Sequence, residues 1–214
     1  MMIFLKCMLS MLLSYLIGSI NVAVLLSKKL KKKDVRDWGS KNAGATNVTR
    51  IFGIKLGVIV LILDMAKGII AIELGRLLCT KFGVAPSMSL DYLNLIAAIW
   101  GHCFPLFFGF RGGKAVATVA GGLLLLNPLV LSGIAFVFIL LATITKNVGI
   151  GSVSAAVSLP PVYVGWAFLN DGFGWEFLFV CIISAIVIWR HVKGMSKENI
   201  KSIWTESTKR TGGN

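Results

Sequence analysis

The stretch Ile54–Gly75, IKLGVIVLILDMAKGIIAIELG, decides the fold. A hydrocarbon core of about 30 Å needs roughly 17–25 apolar residues per helix, and this run supplies them with few interruptions. It is one of seven. The others cover approximately Met2–Leu26, Leu93–Phe108, Ala115–Leu126, Leu129–Thr145, Val153–Leu169 and Trp175–Trp189, the shorter ones needing shelter from their neighbours. Between the fourth and fifth only Asn127 and Pro128 intervene, a helix-stop signal that implies a tight hairpin or a single re-entrant excursion. The run from Met1 to Ser27 is too long for a signal-peptide core and lacks an Ala-x-Ala-like cleavage site, so it reads as a retained first span. Composition agrees: 56% of the residues are hydrophobic and 14% charged, against about a quarter charged in a soluble domain. The expectation is an all-α integral membrane protein, a bundle of about seven transmembrane helices forming one domain over residues 1–214.

The net charge of +13 does not point to nucleic acid, because the basic residues sit between apolar runs and no nucleic-acid-binding motif accompanies them. Lys and Arg are retained on the cytoplasmic side of a membrane. Nine fall in Lys28–Lys55, two in Arg111–Lys114, one at Lys146 and six from Arg190 onward, whereas the alternate connections contribute Arg76 and Lys81. The N-terminus is therefore expected outside and the C-terminus inside, with four donor-rich connections meeting at one cytoplasmic surface. Cys7, Cys79, Cys103 and Cys181 are too scattered for a zinc or redox motif and read as small apolar residues.

The first connection, WGSKNAGATNVTRIFG from Trp38 to Gly53, has no acid, cysteine or histidine. Its glycines allow close backbone approach, Ser40, Asn42, Thr46 and Asn47 add donors, and Arg50 can hold phosphate oxygens in a bidentate fork. The plainer reading is a solvated turn with Thr46 or Asn47 capping a short helix. In the second, FRGGKAVAT, Gly112, Gly113 and Lys114 stand just before a helix, so free amides and an ammonium converge as in a phosphate cradle. It is not a Walker A loop, since the first glycine is misplaced and Ala115 follows the lysine. The competing reading is a positive anchor at a helix end.

His102 could be a general base, although hydrogen-bonded structure is the commoner role for such a residue. No Asp follows His102 or His191 at the five-residue distance of the His–Asp acyltransferase signature. Asp64 and Lys67 share one helical face as an intramembrane pair that fixes packing, with Lys67 available to the site. The third connection, TKNVGIGSVSAAVS, adds Lys146, Ser152 and small residues that equally suit close helix packing. The tail WRHVKGMSKENIKSIW offers His191 and Asn199, or a polybasic stretch on anionic lipid.

GSKNAGATNVTRIFG, LDMAKG, GHCFPLFFGFRGGKAVAT and GIGSVSAAVS stand in an order and at separations that resemble the acyl-phosphate:glycerol-3-phosphate acyltransferases of the PlsY type. The resemblance covers nearly the whole chain. It implies a bacterial inner-membrane enzyme that moves a fatty acyl group from acyl phosphate to the 1-hydroxyl of glycerol 3-phosphate, giving lysophosphatidic acid and phosphate in the first acylation step of phospholipid synthesis. It also implies that no acyl carrier is used directly; the expected partners include membrane lipids and the enzyme making acyl phosphate, the site is expected to face the cytoplasm, and no cofactor and no metal are expected because no convergent carboxylate or His/Cys set is visible in the sequence. Carried over by position, Ser40, Asn42, Arg50, Lys114 and Ser152 would line the phosphate sites, with Lys114, Arg50 and Ser152 as the catalytic set. Thr46, Asn47, Gly112, Gly113, His102, His191, Asn199 and Lys67 would support substrate binding.

An acyl phosphate already carries a good leaving group, so such a site must chiefly orient the hydroxyl and stabilise moving charge. Three departures from the family pattern stand out. Lys41 and Ala115 occupy positions where glycine is common, the family's His-x-x-Asn is stretched to eight residues between His191 and Asn199, and Glu206 lacks the usual Gly-Thr before it. A transporter for organic phosphates would need paired broken helices or an inverted repeat, and a metal-dependent phosphotransferase would need clustered aspartates. Neither pattern is present in the sequence.

Overall fold

The computed structural model describes residues 2–170 and 172–193. Among them the chain forms nine α-helices and no strand: α1 Met2–Gly18, α2 Val22–Lys31, α3 Ala45–Phe52, α4 Ile54–Lys81, α5 Met88–Cys103, α6 Val116–Leu126, α7 Pro128–Thr145, α8 Val148–Leu169 and α9 Glu176–Lys193. Short 3-10 turns occur at Val35–Asp37 and Leu106–Phe108. Seven helices, α1 and α4 to α9, occupy the seven apolar runs.

The first run is broken, contrary to expectation. α1 stops at Gly18 and α2 starts at Val22, where the Asn21 side chain accepts from the Val24 amide at 3.1 Å. Two contacts fix the break. Gly18 lies so close to the Ala98 carbonyl of α5 that a Cβ there would clash, and the Lys67 ammonium takes the freed Ile20 carbonyl at 3.1 Å. The apolar run thus divides into a spanning segment and a short lysine-tipped helix whose buried residues are Val22, Ala23, Val24 and Ser27. At the other ambiguous point α6 and α7 are separate helices. Asn127 ends one and caps the other, accepting from Val130 N at 3.1 Å, while Pro128 occupies the first turn where no amide partner is needed.

Lipid tails are as apolar as leucine, so helix association in a membrane rests on close packing and interhelical hydrogen bonds. Glycines supply the first. Gly18 and Gly101 bring α1 and α5 together against the Ala98 and Tyr15 carbonyls, and Gly68 and Gly121 do the same for α4 and α6 against those of Thr118 and Met65. Polar staples supply the second: Asn94 of α5 accepts from Ser10 and Ser14 of α1 at 3.1 and 3.2 Å, and Ser14 donates to the Ala71 carbonyl of α4 at 3.0 Å. Leu95, Ile99, Leu123, Leu159 and Ile183 fill the interior, whereas Leu129, Phe136, Ile139 and Ile144 on α7 remain exposed as a lipid-facing surface requires.

The bundle has two distinct ends. At one, Lys6 donates to the Phe82 carbonyl at 2.6 Å and Ser89 approaches Glu176. At the other end lie α2, α3, the 104–115 connection, the start of α8 and the finish of α9.

Candidate active site

The first connection is organised by two side chains. Asp34 caps the Val35–Asp37 turn and accepts from Arg36 Nε and Nη2 at 3.0 and 2.8 Å, with Lys28 at 3.1 Å. The Arg36 guanidinium, aided by Lys28, holds the Asp34 carboxyl well below the usual carboxylate range despite its partial burial. Asn47, buried, donates to the carbonyls of Val35, Trp38 and Asn42 at 3.0, 2.9 and 3.1 Å and accepts from the Ser40 amide at 2.9 Å. All its hydrogen-bonding groups are engaged. Its place as a substrate-binding donor is therefore corrected to that of a post around which the loop is wound. The loop's open face carries Ser40, Asn42, Thr46 and Arg50, the last two one helical turn apart on α3 and both exposed. The hydroxyls of Ser40 and Thr46 and the guanidinium of Arg50 bond to none of the described residues.

The second connection is held by arginines from both sides. Arg36 Nη1 donates to the carbonyls of Phe108 and Arg111 at 2.7 and 3.1 Å. Arg190, at the end of α9, donates to the carbonyls of Gly112 and Gly113 at 3.3 and 3.0 Å and lies over the Phe104 ring at 5.0 Å. A trans peptide points its N–H opposite to its C=O. Holding the carbonyls of Arg111 and Gly113 therefore turns the amides of Gly112 and Lys114 to the other side, and neither amide bonds to a described residue. The intervening Gly113 amide is tied to the His102 carbonyl at 3.1 Å.

α6 starts directly beyond, and its start is uncapped. Ala115 stands at the N-cap in the left-handed region, φ 60°, and offers no side-chain acceptor. The amides of Val116 and Ala117 are likewise without partners among the described residues. Lys114, half-buried, has no ion pair or hydrogen bond with them; burial, then the nearby Arg190 guanidinium, pushes its ammonium below the ordinary lysine value. Several free N–H groups, a helix N-terminus and a destabilised ammonium facing the same region form a receptor for an anion.

A model of the family described as glycerol-3-phosphate acyltransferase matches residues 8–205. The chain belongs to this family. The glycerol-3-phosphate acyltransferase of Ureaplasma urealyticum is 38% identical over 97% of this chain and 91% of its own, and that of Fusobacterium nucleatum is 40% identical over 86% and 90%. The crystal structure of PlsY, an integral membrane glycerol 3-phosphate acyltransferase, in its glycerol 3-phosphate form superposes with a TM-score of 0.76 at 33% identity, covering 94% of this chain and 92% of that one. Its lysophosphatidic acid form gives 0.73 at 31% identity. The chain is thus an integral membrane acyltransferase of the PlsY type.

Other sequence-selected residues of this acyltransferase have different surroundings. His102 is buried under the glycine loop: its Nδ1 lies 3.4 Å from Thr118 Oγ1 and 3.8 Å from Asp64, and its Nε2 packs so tightly on Gly113 that a Cβ there would clash. Its ring thus packs directly beneath the loop. The Lys67 ammonium pairs with Asp64 and donates to the Ile20 carbonyl. Ser152 is buried and its hydroxyl donates to Val148 O of its own helix at 2.8 Å, leaving its oxygen free to accept. His191 is buried with Nδ1 2.8 Å from the Val187 carbonyl, within electrostatic reach of Lys114. Asn199 and Glu206 lie outside the described residues. Sequence reasoning missed Arg36 and Arg190 as loop clamps. A Trp-Arg pair ending an apolar run was the available signal for Arg190, and it equally suits a simple membrane anchor.

Proposed function

We propose that this chain transfers a fatty acyl group from acyl phosphate to the 1-hydroxyl of glycerol 3-phosphate. The hydroxyl oxygen attacks the acyl carbonyl carbon, the bond from that carbon to the phosphate oxygen breaks, and lysophosphatidic acid and inorganic phosphate leave. The hydroxyl proton passes to a phosphate oxygen of the substrate, so no side-chain base is needed. Lys114 and the amides of Gly112 and Lys114 take the charge developing on the phosphate, Arg50 holds a phosphate by a two-pronged contact, and Ser40, Asn42 and Thr46 orient the polar substrate. Asn47, Arg36, Arg190 and His102 act as positioning residues.

The observation that carries this reading is the 108–113 connection, whose carbonyls are held by Arg36 and Arg190 while amides beside Lys114 stay open. The clustering of basic residues at the same end supports an active site on the cytoplasmic side of a bacterial plasma membrane, with the N-terminus outside and residues 1–214 acting as one transmembrane acyltransferase domain. At that surface an acyl-phosphate-producing enzyme would be the natural supplier of the donor. The test is purified protein supplied with glycerol 3-phosphate and either acyl phosphate or acyl-CoA, with Lys114→Ala as the paired variant. Lysophosphatidic acid formed from acyl phosphate, and lost in the variant, is the expected result. A covalent acyl-enzyme trapped on Ser40 or Ser152 would overturn direct attack.

A further inference from the structure

The end of the bundle opposite the glycine loop contains a second built feature. A cavity of about 340 Å³ opens between the start of α5, the α6–α7 junction, the end of α8 and the start of α9. Tyr92, Tyr163, Trp166 and Phe173 give it an aromatic lining, while Asn127 and Glu176 add one amide and one carboxylate. Tyr92 and Tyr163 are only 2% and 3% exposed, yet neither hydroxyl bonds to a described residue, and the Asn127 amide nitrogen is likewise without such a partner. None of these three atoms is sealed from the cavity, so each is available to a molecule that enters it. The only polar neighbour of the Glu176 carboxylate among the described side chains is Ser89 Oγ, at 3.5 Å.

The chemistry of these groups selects a ligand class. Among the described residues no Lys, Arg or His lines the cavity, which disfavours a phosphate or carboxylate. A lipid tail would leave the hydroxyls and amide unanswered, and the one carboxylate among the described lining residues is too few for a hard metal ion. An ammonium group suits the acceptors and the rings: it donates to Glu176 and the phenol oxygens and is attracted by the aromatic faces. The rings are already packed into a wall, Tyr163 and Trp166 having centroids 5.5 Å apart and Phe173 and Phe177 5.3 Å apart. We propose that this cavity binds an organic ammonium ion, supplied by the amine headgroup of a phospholipid in the leaflet away from the acyl-transfer site. The proposal does not depend on the reaction assigned above.

The experiment uses the full chain in vesicles of equal phosphatidylethanolamine and phosphatidylglycerol, released into native mass spectrometry to identify retained lipid. Preferential retention of phosphatidylethanolamine is expected, falling about fivefold or more in Glu176→Gln as one ion pair and its cation–π setting are lost. Tyr163→Phe, which keeps the ring and removes only the hydroxyl, should reduce retention as well, so the inference stays testable if Glu176→Gln folds poorly. Acyl-transfer turnover should remain unchanged in both variants. A second arm adds ethanolamine or tetramethylammonium to delipidated protein and follows its melting temperature. Stabilisation by these amines that disappears in Glu176→Gln assigns the site to free ammonium ions from solution; retention of lipid without that stabilisation assigns it to the headgroup. Equal retention of phosphatidylglycerol, or retention of phosphatidylethanolamine that neither variant changes, overturns the proposal.

Discussion

Two helices start at the same end of this bundle after similar sequences, and they start differently. α6 follows RGGKA and α8 follows TKN, each with a lysine and nearby glycines. At α8 the Asn147 side chain accepts from the amides of Gly149 and Ile150 at 2.9 and 3.3 Å, its carbonyl takes Gly151 N, and Lys146 merely terminates α7 in a left-handed turn. At α6 the corresponding residue is Ala115, which accepts through no side chain, and the first-turn amides are left for a ligand. What separates the two starts is the cap: Asn147 occupies the α8 amides, and Ala115 leaves those of α6 open. Glycine, lysine and serine content does not separate the two.

The sharpest break of this comparison is Lys114→Ala against Lys146→Ala. The first should lower kcat/KM for acyl transfer by about 100- to 1000-fold with an unchanged melting temperature, and the second should stay within about twofold of wild type. Comparable losses from both would place α8 in the site on equal terms. Next in size is Gly113→Ala against Gly149→Ala. A Cβ at 113 would collide with His102 Nε2 and come 2.7 Å from the Ala43 carbonyl, whereas at 149 the nearest atom is Asn147 Oδ1 at 3.1 Å. Gly113→Ala should destabilise by about 1–3 kcal/mol and reduce activity, and Gly149→Ala should do much less in denaturation and turnover assays.

Swapping the caps gives a smaller and reciprocal effect. Ala115→Asn should fill the α6 start and raise the KM for glycerol 3-phosphate several-fold, while Asn147→Ala should cost about 1 kcal/mol of stability with activity retained. The pH profile sharpens the same point. Lys114 must be protonated to hold a phosphate, and burial lowers its pKa, so kcat/KM should fall as pH rises through a value below that of an ordinary lysine. Lys114→Arg should carry this alkaline limb upward if the ammonium is responsible. The mildest test concerns backbone conformation. Lys41 and Ala115 both sit in the left-handed region, φ 56° and 60°, so replacing either with glycine should relieve about 1 kcal/mol of strain, read as a small rise in melting temperature.

The two departures toward lysine and alanine were visible in the sequence as missing glycines, and the structure shows the strained backbone that explains why glycine suits those positions. The seven apolar runs were also legible, because hydropathy integrates over about twenty residues and tolerates errors at the ends. That same averaging hid the break at Ser19–Asn21, where the relevant signals are one glycine, one capping Asn and a lysine 47 residues away. At the α6 start, the grouping of Lys114 with its glycines was legible because loop and helix start are contiguous in the chain. Asn47 was misread because a donor facing a ligand and a donor facing its own loop have the same letter. Arg36 and Arg190 escaped because gripping a distant carbonyl leaves no periodicity or spacing behind.

The grip of Arg190 on the glycine loop joins residues 77 and 78 positions apart in the chain. While the protein is being made, Lys114 emerges and enters the membrane long before α9 exists. During that interval the loop lacks one of its two clamps, and a nascent chain holding α1 to α8 would have no finished phosphate receptor. Until α9 packs, the glycine loop is held from the Arg36 side alone, and the carbonyls of Gly112 and Gly113 lack their guanidinium.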